Sequence, residues 1–247
     1  MKKEIPFKMT RQPDNTSCGP TALTAVYHYF KDFIPVEQVI KEVTQFEKGG
    51  GTLAVILGLH ALSRGYDVTL YSYNLNIFDP TWSAITHEQM IEKLELQLKE
   101  KGNDEKFKTA SLAYIKFLKN DGRLRLQRIS SDLIRKYVML DLPVLTGLSA
   151  TYLYWNKRTN PVTNICDDIA GGPEGHFVVL HGIDLGRSVV KVGDPWHKNP
   201  FDNSLHYSVS MDILIASILL GIVTYDGNLL IIRPKQQVPQ ITSNQVP

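Results

Sequence analysis

Apolar residues recur at helical spacing over Leu23, Val26, Tyr27 and Phe30, which predicts a helix running from Cys18 to about Phe30. The short mixed stretch 5–10 before it is a candidate strand delivering Gln12. Pro35 opens a second short helix, Val36 to about Val43, and Gly49-Gly50-Gly51 is a break. Thr52 is then placed to cap a helix over Leu53–Ser63, which Gly65 ends in a left-handed cap. Alternation with β-forming residues over Tyr66–Tyr73 predicts a strand.

Between 79 and 128 the pattern turns charged and helical. Thr86 caps a helix from about His87 to Lys101, striped by Met90, Leu94 and Leu98. Asn103 or Asp104 caps a second, with Phe107, Ala110, Tyr114, Phe117 and Leu118 inward and Gly122 at its end. This pair reads as an insertion or side layer without evident chemistry.

Ser130-Ser131-Asp132 caps a helix over Leu133–Leu140, and Pro143–Ser149 is an apolar, buried strand. Residues 156–174 are polar and rich in Asn, Asp, Gly and Pro, hence a loop. Two β-rich runs, His176–Ile183 and Ser188–Asp194, are joined through Leu185-Gly186-Arg187 as a hairpin, and Pro195 stops the second. Ser208 or Ser210 caps an apolar helix containing Ile213–Val223, read as buried and leading to a last strand, Leu229–Ile232. That run falls short of the about 20 apolar residues a bilayer requires. One domain is expected over 1–235, with a loose tail at 236–247.

Composition narrows the function classes. With 43% apolar and 21% charged residues and a net charge of +2, the 247-residue chain reads as a globular protein without a basic face for nucleic acid. Two cysteines, Cys18 and Cys166, make no disulfide framework and suit a reducing compartment. Met1–Pro6 carries lysines but no apolar run behind them, so no signal peptide is read. With no transmembrane segment either, the expected location is cytoplasmic.

The chemistry centres on Cys18. A polar loop, Gln12–Ser17, breaks into the first helix at Cys18-Gly19-Pro20. Ser17 or Thr16 can cap that helix, and Pro20 suits its first turn. A cysteine there feels the positive end of the helix dipole, which favours the nucleophilic thiolate. The plainer alternative is a buried structural cysteine. His176 opens the hairpin after Gly171-Gly172-Pro173-Glu174-Gly175, and Asp194 closes it. Antiparallel neighbours can bring the two together, the imidazole taking the thiol proton and the carboxylate orienting the ring. The plainer alternative for His176 is one more strand residue, which a lone histidine at a strand start more often is, and Asp194-Pro195 reads equally as a turn. His181 competes with His176 but falls on the opposite face. Gln12 is a candidate oxyanion donor together with the Cys18 N–H. Tyr152, Tyr154 and Trp155 either line a groove or merely pack; Tyr152, Gly175 and Trp196 are the candidate substrate contacts. Zinc sites favour short paired spacings, which are absent, and His197 and His206 are isolated.

As a set, these residues resemble a family. Gln12 six residues before Cys18, then Cys18-Gly19-Pro20, is similar to the motif of the bacteriocin-processing, double-glycine leader peptidases, papain-like cysteine peptidases often fused to export transporters. Gly51-Thr52 with Leu57 and Ala61–Gly65, Gly175–Leu180 and Val192-Gly193-Asp194-Pro195 continue the resemblance in order across 12–196. The 79–128 segment and the C-terminal segment lie outside it. Ser17 stands where the family usually has Asp, and the 156–174 loop is long.

The resemblance implies an α+β, papain-like cysteine peptidase fold: N-terminal helices packed on an antiparallel sheet, with a helical insertion. It implies Cys18 as nucleophile, His176 as base, Asp194 as orienting acid and Gln12 as oxyanion donor, with no cofactor and no metal. The substrate would be a peptide or protein, handled by a stand-alone relative without a transporter, with a separate export or modification partner. The reaction would be hydrolysis of a peptide or isopeptide bond through a thioester. An amine resolving the same thioester gives acyl transfer, and a non-catalytic peptide-binding relative is the third reading.

Overall fold

A computed structural model describes residues 2–44 and 51–235. Gly49 and Gly50 of the expected glycine break, and the expected tail at 236–247, lie outside the described residues. In chain order the elements are β1 (Lys2–Glu4), α1 (Cys18–Tyr29), α2 (Val36–Glu42), α3 (Ala54–Ser63), β2 (Tyr66–Ser72), α4 (His87–Lys101), α5 (Glu105–Lys119), β3 (Arg123–Arg125) and α6 (Ser131–Met139). They continue with β4 (Val144–Ser149), α7 (Ala150–Leu153), β5 (Gly175–Asp184), β6 (Val189–Gly193), β7 (His206–Ser210), α8 (Met211–Leu220) and β8 (Asn228–Pro234).

The strands form one sheet in the order β3-β2-β8-β4-β5-β6-β7, with β1 pairing on β5. Among the described residues only β2 and β3 run parallel; the other pairs are antiparallel. The expected α+β architecture, helices against a largely antiparallel sheet, is therefore the one found. Both faces of the sheet are covered. Leu145, Phe177, Val179, Leu230 and Ile232 join the core under α1 and α3. Their neighbours Val144, Val178, Leu180, Leu229 and Ile231 pack on the opposite side with α6 and α8. Alternate side chains point to opposite faces, so a strand buried on both reads as an unbroken apolar run. That is the pattern of β5 and β8.

Helix α1 is the central element of its layer. Every residue from Gly19 to Tyr27 is buried, and Gly19 sets its approach. A Cβ at Gly19 would stand 2.8 Å from Thr52 Cγ2 and 3.2 Å from the Leu57 and Phe177 side chains. The pair α4–α5 follows the expected caps: Thr86 and Gln89 form a capping box, and Asp104 accepts from the Lys106 and Phe107 amides. Ser130 and Ser210 cap α6 and α8.

Several expectations need correction. Residues 5–10 form no strand; pairing with β5 comes earlier, at β1. Thr52 does not cap α3, because its hydroxyl donates to the Thr44 carbonyl (2.9 Å). Neither Ser17 nor Thr16 caps α1. Asp14 Oδ1 instead accepts from the Thr16 amide (2.7 Å), the Thr16 hydroxyl (3.0 Å) and the Ser17 amide (2.9 Å), ordering the turn before the helix. Helix α8 is buried on one side only, with Ile213, Leu219 and Leu220 exposed. Strand β7 lies where the sequence reading placed only a cap. No helix among the described residues is long and apolar enough to cross a membrane.

Candidate active site

The hairpin β5–β6 and the start of α1 bring the predicted residues together. His176 is the second residue of β5, and Asp194 directly follows β6. His176 Nε2 donates to Asp194 Oδ1 at 2.8 Å, with both side chains buried. Asp194 is fully enclosed yet fully satisfied. Oδ1 also accepts from the Trp196 amide (2.8 Å), and Oδ2 accepts from Tyr154 Oη (2.7 Å) and Tyr207 Oη (2.6 Å). Phe201 stacks on Tyr207 with ring centroids 4.2 Å apart and meets Tyr154 edge-on, bracing both phenols.

Four donors explain how a buried carboxylate stays charged. Burial opposes the ionised form of Asp194, but the His176 charge and hydrogen bond and the two tyrosine hydroxyls hold it below the usual carboxylate range. Burial likewise disfavours a charged His176. The Asp194 charge and hydrogen bond outweigh that, Cys18 adds to them as a hydrogen-bond and charge partner, and the imidazole is pushed up to about 10. Burial and the adjacent carboxylate drive both Tyr154 and Tyr207 well above a normal phenol, so each remains a donor.

Tyr154 therefore supports Asp194 and is not a plain groove residue. Tyr207 was missed because its strand was missed, although Tyr207 and Val209 give the period-2 alternation of β-formers that marks one. Replacing Tyr207 with Phe removes one charge-assisted hydrogen bond and should cost about 1.5–3 kcal/mol in urea unfolding at neutral pH. A loss below about 0.5 kcal/mol would show that the hydroxyl contributes nothing to holding the carboxylate.

Gln12 is buried. Its amide N–H donates to the Pro195 carbonyl (3.0 Å), fastening it beside Asp194-Pro195. Its side-chain Nε2 donates to the Asp14 carbonyl (2.7 Å), and its Oε1 has no partner among the described residues. Cys18 is partly exposed at the first position of α1, where no side chain caps the free backbone N–H groups.

Cys18 opens onto a cleft of about 330 Å³ whose walls include Thr52, Lys106, Gly175, Thr224 and Asp226. The long loop supplies Thr159, Pro161 and Asn164. Of the candidate substrate contacts, Gly175 is on the wall of this cleft. Tyr152 and Trp196 are not among the residues lining this cleft: Tyr152 packs edge-on against the exposed Trp155, and Trp196 gives its amide to Asp194. Lys106 belongs to α5, so the helical pair read as lacking chemistry reaches the site. His181 faces Phe7 and His206 away from it. Among the described residues no cluster of His, Cys, Asp or Glu is arranged to hold a metal ion.

No family model matches the chain, and no curated protein does. Among solved structures it is similar to a double glycine motif protease from an AMS/PCAT transporter in complex with the leader peptide, at 16% identity over 94% of each chain, with a TM-score of 0.42. It is also similar to the peptidase domain of Streptococcus ComA, a bi-functional ABC transporter, at 13% identity over 93% of this chain and 99% of that one (TM-score 0.44). A third is a C39-like peptidase from Bacillus anthracis, at 12% identity over 93% and 96% (TM-score 0.47).

Proposed function

We propose that this chain is a cysteine peptidase-like hydrolase, one domain over 1–235 with α4–α5 inserted, that cleaves a peptide or isopeptide bond through Cys18, His176 and Asp194. The observation that carries this reading is the buried His176–Asp194 pair, 2.8 Å apart, with Cys18 acting on the same imidazole from a helix start. A cationic ring beside a thiol is the charge partner that favours the attacking, sulfur-anion form of a cysteine nucleophile. Sγ attacks the scissile carbonyl, and the negative oxygen is held by the Cys18 N–H and the Gln12 side-chain amide. His176 then protonates the departing amine, leaving a thioester. Water, deprotonated by His176, releases the acid and regenerates Cys18. Asp194, locked by its other three donors, keeps Nε2 protonated and Nδ1 turned to the thiol.

Cys166 is exposed and provides an internal reference thiol. At about pH 6, iodoacetamide should alkylate Cys18 at least about tenfold faster than Cys166, and His176→Ala should abolish that advantage. Equal rates in the wild type, untouched by the substitution, would overturn the reading. Product formation from a peptide substrate without added amine separates hydrolysis from acyl transfer.

A further inference from the structure

The cleft wall holds an aspartate, Asp226, whose surroundings are the inverse of those around Asp194. Asp226 is 6% exposed and sits on the turn between α8 and β8. Tyr225 before it and Gly227 after it are both left-handed (φ 69° and 77°). A left-handed tyrosine is uncommon and needs outside support. Here that support includes the Tyr225 N–H bond to the Ile222 carbonyl and the Lys106 ammonium over the Tyr225 ring at 4.7 Å. The turn pushes the carboxyl against two glycines. A Cβ on Gly175 would lie 2.2 Å from Asp226 Oδ2, and one on Gly147 would lie 2.7 Å from Oδ1. Oδ2 thus occupies the space a side chain at Gly175 would fill, on the wall of the Cys18 cleft.

Asp194 has four donors, whereas the Asp226 side chain has one hydrogen-bond partner among the described residues. Oδ1 is without a partner among the described residues. Thr224 Oγ1 stands 3.0 Å from Oδ2 and also 3.0 Å from the Gly221 carbonyl oxygen. A hydroxyl has a single proton to give. It can donate to Oδ2 or to the Gly221 carbonyl but not fully to both, so the carboxyl has at most one shared donor among the described residues. Two carboxyls in one site with opposed environments mark opposed protonation states.

We propose that Asp226 is a substrate-binding carboxylic acid, donating a hydrogen bond from Oδ2 to a main-chain carbonyl of the peptide as it enters over Gly175. Thr224 Oγ1 donates to Oδ2, which leaves the carboxyl's own proton for the peptide carbonyl. This rests on the reading of the cleft as a peptide site. Burial is the chief influence keeping the carboxyl neutral, pushing it up to about 7; the Thr224 hydrogen bond and the charges of Lys106 on α5 and His176 on β5 oppose it. Tyr114 on α5 also faces it. Substrate recognition is therefore lost as pH rises and the donor becomes a carboxylate.

The test uses the full chain and the peptide aldehyde acetyl-glycyl-glycyl-glycinal, which forms a reversible adduct with an active-site thiol and offers main-chain carbonyls. Wild-type inhibition should weaken toward about tenfold per pH unit above about pH 7. Asp226→Ala should bind about tenfold more weakly at about pH 6, while Asp226→Asn, which keeps a donor, should restore most of that and remove the alkaline weakening relative to wild type. Thermal melts establish that each variant is folded. Tighter wild-type binding above pH 7, or an Asp226→Asn profile indistinguishable from wild type, would overturn the proposal. If instead no adduct forms and Cys18 is alkylated no faster than Cys166, the peptidase reading itself fails and this inference with it.

Discussion

Asp194→Ala is expected to lower kcat/KM by about 10³–10⁴-fold and to destabilise the protein by about 3–5 kcal/mol. The carboxylate, itself wholly buried, is the common acceptor for His176 Nε2, the Trp196 amide and two phenols. Removing it leaves those donors facing a void and an imidazole with no counter-charge. Asp194→Asn keeps the shape and an acceptor for His176, so it should recover most of the stability while remaining deficient in rate. A stable, folded Asp194→Ala that keeps more than about a tenth of the activity would remove Asp194 from the mechanism.

The pH dependence of stability should carry the same signature. His176 is raised from 6.5 to about 10, so its contribution is complete below about pH 6.5 and is lost as pH climbs through about 10. Asp194 is lowered from 3.8, so its contribution is present above about pH 4 and is lost as pH falls through its depressed value. Both describe one pair, and Asp194→Ala should flatten both flanks.

Asp226→Asn should act in the opposite direction. Asp226 is raised from 3.8 to about 7, so the wild type loses stability as pH rises from about 4 to about 7 and nothing further beyond. Those three or so pH units correspond to about 4 kcal/mol, an order-of-magnitude figure. Asparagine is neutral throughout. Its stability relative to wild type should therefore be greater at about pH 8 than at about pH 4 by that amount, read from urea midpoints at the two pH values. Equal differences would mean that Asp226 is ionised in the folded protein across this range.

The elements legible in the sequence were those with local signals: the α1 stripe, the capped helices α4 to α6, and the hairpin that places His176 against Asp194. Short strands were not legible. β1 and β3 are three residues each and owe their conformation to partners distant in sequence. Cys18, Gln12, His176 and Asp194 stood out because polar groups interrupt apolar runs or meet glycine and proline. Tyr154 and Tyr207 did not, since a tyrosine whose hydroxyl serves a distant carboxylate looks like any packing aromatic. Asp226 was equally hidden: its role depends on two glycines, Gly147 and Gly175, in strands far from it in sequence.

The close approach at Gly19 divides the site into two mechanical parts. The imidazole sits on β5 and the carboxylate directly after the adjoining β6, so their separation is fixed by the backbone ladder. The thiol rides on a helix seated over that sheet, and its distance from the ring is set by how deeply the helix settles against Thr52 and Phe177. One part is a fixed jaw and the other an adjustable one. A methyl group at Gly19 would act as a shim, lifting the sulfur away while leaving the acid–base pair untouched.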